Sequence, residues 1–474
     1  MNISQFNEKF KNKKCDVLGF GTSNRPLVKM LADAGALVTV RDKNTSVCES
    51  REACEISEKN VKFIVGENYL ENIDADYIFR SPGIRPDEKN ILHAVKNGAV
   101  LCSEMELFFE LSPVPIYGIT GSDGKTTTTT LTHLFLQAQA DKNYKGKSYV
   151  GGNIGAPLLP HICEMTDADN CTVELSSFQL MTMKVSPVRA VITNITPNHL
   201  NWHTDMDEYI ASKCNIFMHK PISLLVTNAE NDITFEIARN TDIPVIYFSS
   251  KRSSYESIVP EYKKNCRAIY ESDGIIYIDD GQSREELLDC SSIILPGRHN
   301  IENYMAAMGI TYGLVDKEIY TNVAKGFNGV RHRLELIREL DGVKYYNSSI
   351  DSSPTRTAAA ISALPKKPII ICGGYDKKIP FDTLASSLIK GTKSVILTGA
   401  TAEKIFNELK NNPDFSLEEL PTVIVPDFKD AVIYAKNSAK SGDIVLLSPA
   451  CASFDAFKNF EERGDYFREI VSQF

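Results

Sequence analysis

The chain has 474 residues, 43% of them hydrophobic and 24% charged, with a formal net charge of −9. That length exceeds one ordinary core and implies two or three domains. The negative charge repels polyanions at long range and argues against nucleic acid as a partner, but not against nucleotides, whose phosphates are held locally by a few N–H groups and a lysine. Eleven cysteines, an odd number without a C-x-x-C pair, argue against a disulfide framework or a thiolate zinc cluster. Met1 to Lys14 is polar and lysine-bearing, and no apolar run reaches the length of a membrane span. A soluble, cytoplasmic protein is expected.

Cys15 to Gly19 reads as a strand ending in glycine, Pro26 to Ala34 as a helix, and Ala36 to Val40 as a second strand closed by Asp42. Ala75 to Phe79 is a third strand, followed by the turn Ser81-Pro82-Gly83. Such alternation implies a parallel sheet with helices on its faces. The glycine run Gly19-Phe20-Gly21-Thr22-Ser23-Asn24 imitates a dinucleotide fingerprint but has Asn24 where the third glycine belongs. Ser112-Pro113-Val114-Pro115 reads as a linker.

A second α/β segment opens at Ile116 to Thr120, with further strands at Thr172 to Leu175 and Ala190 to Thr193. A third begins near Gly329, with strands at Val343 to Tyr346, Pro368 to Cys372, Ser394 to Leu397 and Ile444 to Leu447. The expected architecture is three consecutive open α/β domains over residues 1–112, 113–328 and 329–474. Hinges near Pro115 and Gly329 would let them close during a reaction.

The second segment carries the strongest chemical signal. Its first strand runs into Gly121-Ser122-Asp123-Gly124-Lys125-Thr126-Thr127, and a helical pattern follows with Leu131, Leu134, Phe135 and Ala138 on one face. Strand, glycine loop and helix N-terminus gather backbone N–H groups around a phosphate. Lys125 would neutralise the terminal phosphates and Thr126 would place a hydroxyl on Mg²⁺. Ile119 stands where the general G-x-x-x-x-G-K-T pattern has its first glycine.

The run Thr120 to Thr126 resembles the nucleotide loop of the Mur ligases and their folylpolyglutamate synthetase relatives. Further segments agree in order: Gly151 to Gly155, Glu174 to Leu180, Asn194 to His199, Lys213, Gly297 to Asn300 with Asn303, and Arg331-His332-Arg333. The run Ser448 to Asp455, continuing to Phe460 and Arg463, resembles the D-glutamate-adding branch of that family in particular.

The resemblance implies a Rossmann-like first domain, a central P-loop ATPase-like domain and a Rossmann-like third. It implies ATP and two Mg²⁺ as cofactors, with UDP-N-acetylmuramoyl-L-alanine and D-glutamate as substrates joined through an acyl phosphate, and a monomer. Metal ions and lysines would then cancel the repulsion between carboxylate anions and a triphosphate. Glu174, His199 and a carbamylated Lys213 would serve the metal and the catalysis together with Lys125. Gly121 to Thr127, Asn300, Asn303 and Arg333 would hold ATP. Gly21, Thr22, Asp42, Gly83 and Asn153 would hold the UDP substrate. Lys377, Ser453, Phe454 and Phe460 would hold D-glutamate.

On their own these residues read more plainly: Glu174 as a surface glutamate, His199 as a loop histidine, Lys213 as a solvent-facing lysine, Asn300 as a helix cap and Phe460 as core. His203 lies four residues after His199, but Pro197 and Asn198 point to a turn rather than to a helical metal pair. One departure stands out. The run Asn347-Ser348-Ser349-Ile350-Asp351 has Ser348 where the resembling proteins carry an aspartate, and Asp351 is the candidate to replace it. Three other readings remain: a ligase of the same scaffold adding another amino acid, a nucleotide-binding relative without catalysis, and a dinucleotide enzyme built on the first glycine run.

Overall fold

The computed structural model describes residues 2–57, 61–200, 202–263, 265–376 and 380–474. The chain forms two compact units, Met1–Ser292 with Ile301–Val323, and Ile293–Asn300 with Ala324–Phe474. Three separate sheets run through them.

The first sheet holds β1 (Lys14–Leu18), β2 (Leu37–Asp42), β3 (Val61–Val65), β4 (Tyr77–Arg80) and β5 (Val100–Cys102) in the order β3-β2-β1-β4-β5. Every pairing in it is parallel. Cys15, Val17, Val38, Val40 and Phe79 form its core and are buried. The order reverses between β1 and β4, which opens a crevice at their C-terminal ends, the place where such sheets take ligands. Asn24, standing in for the missing third glycine, has a positive use there: its amide donates to the Gly19 carbonyl at 2.9 Å and to Ser81 Oγ at 3.0 Å, lacing the two loops together.

The second sheet holds β6 (Ile116–Thr120), β7 (Ser148–Gly152), β8 (Asn170–Glu174), β9 (Arg189–Ile192), β10 (Leu224–Asn228), β11 (Val245–Ser249), β12 (Arg267–Ser272), β13 (Ile275–Asp279) and β14 (Arg284–Asp289). Their order is β14-β13-β12-β11-β10-β9-β6-β8-β7. The strands from β6 to β12 pair in parallel, and β13 and β14 add an antiparallel edge. β6 is buried along its whole length between β8 and β9.

The other unit holds β15 (Glu335–Leu340), β16 (Val343–Asn347), β17 (Ile369–Cys372), β18 (Ser394–Leu397), β19 (Thr422–Ile424) and β20 (Ile444–Leu447) in the order β15-β16-β20-β17-β18-β19. Only the β15–β16 pairing is antiparallel. The three open α/β segments read from the sequence are therefore present as three parallel-dominated sheets. All eleven cysteines are free, and among the described residues no helix is long and apolar enough to cross a membrane.

Candidate active site

The glycine loop leaves buried β6 and enters the helix Lys125–Lys142, which starts without a side-chain cap on Gly124. Its first N–H groups are thus left without a side-chain cap, the arrangement in which a helix start can take an anion. Glycine is required twice. Gly121 has φ +149°, and a Cβ there would lie 1.8 Å from Thr193 Oγ1. Gly124 has φ +77°, and a Cβ would lie 2.4 Å from Asn303 Oδ1. The loop is pinned by the segment after β9: Ser122 N–H donates to the Asn194 carbonyl at 2.8 Å and Asp123 N–H to Asn194 Oδ1 at 3.0 Å. Ser122 Oγ accepts from Thr196 N–H at 2.9 Å.

Two lysines meet at this loop. Lys125 Nζ donates to the carbonyls of Gly121 and Ser122, each at 2.9 Å. Lys213 Nζ donates to the same Gly121 carbonyl at 2.7 Å, from the helix Met206–Cys214. Lys213 is 2% exposed, so it is no solvent-facing lysine. Burial and then the charge of Lys125 hold its ammonium well below the usual lysine range, opposed by Asp123 and Glu174.

Glu174 ends β8, opposite Ile119 of β6, and is 1% exposed. Asn153 donates through Nδ2 to Glu174 Oε1 at 2.9 Å, and its N–H donates to the Glu174 carbonyl at 2.8 Å. Glu174 Oε2 is buried without a hydrogen-bond partner, a condition that costs about 1–3 kcal/mol. Among the described residues no three histidine, cysteine or acidic side chains form a ready metal cage. The arrangement still fits Mg²⁺, which commonly takes one or two protein oxygens and completes its shell with phosphate and water. Glu174 Oε2 is a buried acceptor able to take such a cation, and Thr126 stands in the first turn of the helix Lys125–Lys142.

His199 is exposed, has φ +56°, and packs edge-on to Phe178 with ring centroids 4.9 Å apart. The N–H groups of Trp202 and His203 both donate to the His199 carbonyl, at 2.9 and 3.0 Å, so the chain turns just after His199. His203, however, is not a plain loop residue. It is 2% exposed and is joined to Ser177 and Glu208. No spacing rule in the sequence marks it, because its partners come from other segments.

In the first sheet, Gly21, Thr22 and Gly83 lie exposed on the loops after β1 and β4. Asp42 turns its carboxylate to backbone, accepting from Phe20 N–H at 2.7 Å and Asn44 N–H at 2.8 Å. Trp202 Nε1 donates to the Gly83 carbonyl at 3.2 Å, bringing the turn after β4 to the His199 segment.

Asn300 and Asn303 share the helix Arg298–Thr311. Asn300 Nδ2 donates to the Pro296 carbonyl at 2.7 Å, which is the capping role, while Asn303 Oδ1 accepts from Thr128 Oγ1 at 3.3 Å.

In the third sheet the loops after β16, β20 and β17, three adjacent parallel strands, are tied to one another. Tyr375 N–H donates to the Ala452 carbonyl at 2.9 Å. Buried Arg463 donates to the carbonyls of Ser349, Cys451 and Ala452 and to Ser349 Oγ. Ser453 is buried, Phe454 is exposed and meets Tyr375 edge-on, and Phe460 opens the last helix beside His332. Lys377 lies outside the described residues. Asp351 is buried, accepts from Ser448 Oγ at 2.8 Å and feels the charges of Arg333 and Arg356. Ser348 Oγ accepts from the Leu334 N–H at 3.1 Å and also hydrogen-bonds to Asp351.

The chain is similar to known proteins. Residues 119–311 match the Mur ligase middle domain, and residues 332–451 match the Mur ligase glutamate ligase domain. A UDP-N-acetylmuramoylalanine–D-glutamate ligase from Acetivibrio thermocellus is 44% identical over 99% of this chain and 98% of its own length. Its namesake from Clostridium beijerinckii is 45% identical over 99% of each chain. Among solved structures, the UDP-N-acetylmuramate-alanine ligase of Thermotoga maritima superposes with TM-score 0.55 at 16% identity, covering 97% of this chain and 99% of the other. A pseudomurein peptide ligase type C from Methanothermus fervidus gives 0.51 at 17%, covering 98% and 100%. The structures speak for the fold alone. Two domain models and full-length relatives above 40% identity carry the rest, and with the phosphate loop, the paired lysines and the glutamate in place, the chain belongs to the Mur ligase family.

Proposed function

We infer that this protein is an ATP-dependent ligase that joins D-glutamate to UDP-N-acetylmuramoyl-L-alanine in peptidoglycan precursor synthesis. The observation that carries the reading is end-to-end identity of 42–45% with relatives bearing that activity in their names. It works as a monomer in the cytoplasm, where both substrates and ATP would be met.

The family resemblance supplies the chemistry. The alanine carboxylate attacks the γ-phosphate of ATP, forming an acyl phosphate and releasing ADP. The amine of D-glutamate then attacks that carbonyl carbon, loses a proton and expels inorganic phosphate, leaving the amide. The phosphate loop Gly121 to Thr127 and the uncapped helix start would hold the β- and γ-phosphates. Lys125 would leave the Gly121 and Ser122 carbonyls for the phosphates and offset the charge of the transferring group. Asn300, Asn303 and Arg333 would take the rest of the nucleotide.

Two Mg²⁺, when bound, would screen the anions from one another. Thr126, Glu174, His199 and Lys213 are the residues proposed to hold them. Asn153 would orient Glu174 and face the UDP substrate. Burial disfavours the charged form of the Lys213 amine, and a neutral amine can add carbon dioxide and release a proton to become a carbamate, an anionic oxygen ligand. Gly21, Thr22, Asp42 and Gly83 would line the UDP end at the β1–β4 crevice. Lys377, Ser453, Phe454 and Phe460 would receive D-glutamate.

Phosphate release from ATP, followed with UDP-N-acetylmuramoyl-L-alanine and a panel of amino acids, tests the reading. D-glutamate alone should trigger release. A response to a different amino acid, or none, would overturn it.

A further inference from the structure

We propose that His203 is a positioning residue that locks together the three segments carrying Glu174, His199 and Lys213, and that Arg85 ties this junction to the turn after β4. The inference rests on the ligase reading, through the metal roles given there to those three side chains.

The three segments come from separate stretches of chain and meet at one imidazole. Glu174 ends β8, and three residues later Ser177 opens the short helix Ser177–Leu180. His203 belongs to the His199 turn and closes it through its own N–H. Glu208 lies on the helix that carries Lys213. His203 Nδ1 lies 3.0 Å from Glu208 Oε1 and Nε2 lies 2.9 Å from Ser177 Oγ. Its ring stacks on Phe178, with centroids 5.5 Å apart and planes 21° from parallel, and meets Tyr209 edge-on at 5.2 Å. Tyr209 OH is 2.9 Å from Ser122 Oγ in the phosphate loop.

The chemistry of the partners fixes the proton on that ring. Glu208 is held as a carboxylate, its pKa drawn down to about 2 chiefly by hydrogen bonds from Arg85. It can only accept, so Nδ1 carries the hydrogen. With the hydrogen on Nδ1, the neutral ring offers Nε2 as an acceptor, and Ser177 can donate its hydroxyl hydrogen to it at 2.9 Å. One tautomer therefore satisfies both ends, and neither partner can rotate away without leaving a buried polar atom unpaired.

Arg85 completes the chain of contacts. Its guanidinium donates to both Glu208 oxygens at 3.1 and 2.9 Å, to the Trp202 carbonyl at 2.5 Å, and lies over the Trp202 ring. It stands two residues after Gly83, in the turn at the β1–β4 crevice. Seating of a substrate on that turn is thereby transmitted to the segments that bear the metal ligands. Residues that orient ligands in this way typically change metal affinity by 10–100-fold when removed.

The Ser177–His203 bond can be deleted from either end. Ser177→Ala removes the donor. His203→Asn keeps a donor toward Glu208 but withdraws the acceptor from Ser177. Both variants and the double variant would be titrated with Mn²⁺ in the presence of a non-hydrolysable ATP analogue, free Mn²⁺ being read by electron paramagnetic resonance and the analogue alone serving as control. Expected are equal rises of about tenfold in the Mn²⁺ dissociation constant for each single variant, with the double no weaker than either. In turnover assays the Mg²⁺ requirement should rise alongside, with the KM for D-glutamate unchanged. Wild-type affinity in both single variants, or losses that multiply in the double, would overturn the proposal while leaving the ligase reading intact. A wild-type protein that binds no more metal than the analogue alone would overturn both.

Discussion

Lys125 and Lys213 donate to one acceptor, the Gly121 carbonyl, at 2.9 and 2.7 Å. Two ammonium groups this close repel, and burial together with the charge of Lys125 holds Lys213 well below the usual lysine range. Lys125→Ala should lower kcat by at least ~10²-fold, the scale for one preorganised charge at a transition state. Steady-state turnover within tenfold of wild type would remove the assigned role. With isotopically labelled bicarbonate, nuclear magnetic resonance should show a carbamate signal that disappears in Lys213→Ala. A spectrum unchanged by the substitution would rule the carbamate out.

Asn153 occupies one oxygen of Glu174 and leaves the other bare. Asn153→Ala should release the carboxylate from its fixed orientation. The expected result is a several-fold higher Mg²⁺ concentration at half-maximal rate, in line with the loss of an orienting partner. Glu174→Gln should be more severe, because the amide brings donors to where a cation is expected. Mg²⁺ titrations that superpose for the wild type and both variants would contradict this.

Asp351 is raised to about 6 by burial, with hydrogen bonds from Ser348 and Ser448 and the charges of Arg333 and Arg356 pulling the other way. If its carboxylate replaces the aspartate missing at Ser348, Asp351→Asn should raise the KM for ATP clearly at pH 7.5. The difference should shrink below pH 6, where the wild-type carboxyl is itself neutral. A KM that is unchanged across the range would remove the idea.

Glu104 is buried, and burial alone raises its carboxyl to about 8, with one oxygen lacking a partner. Its folded-state pKa lies above the unfolded one, so the folded form holds the proton more tightly. Stability from this group is complete below the unfolded value near 4.5 and falls as pH rises toward 8. Glu104→Gln removes that ionisation and should stabilise the protein by roughly 3–4 kcal/mol at pH 7–8, with little effect at pH 4.5. Denaturant melts at the two pH values would reveal the difference. Equal effects at both would disprove the burial cost.

What could be read directly was local. Ile116 to Thr126 states its structure in eleven consecutive residues, because strand, glycines, lysine and helix start act on their neighbours along the chain. The strands at 394–397 and 444–447 fell where their apolar runs did, since buried parallel strands are continuous hydrophobic stretches. β14 was missed for the converse reason: Arg284, Glu285 and Glu286 are exposed on a sheet edge and carry no apolar signal. Nor did composition reveal that Glu174 and Lys213 are buried, a fact that distinguishes a site from a surface. The Ser177–His203 and Arg85–Glu208 bonds span 26 and 123 residues. Sequence supplied the residue types for phosphate and metal chemistry. Only the packing of strands and helices decided which of them share a carbonyl, which lose their water, and which imidazole joins the segments, because desolvation and hydrogen-bond geometry depend on distance in space rather than along the chain.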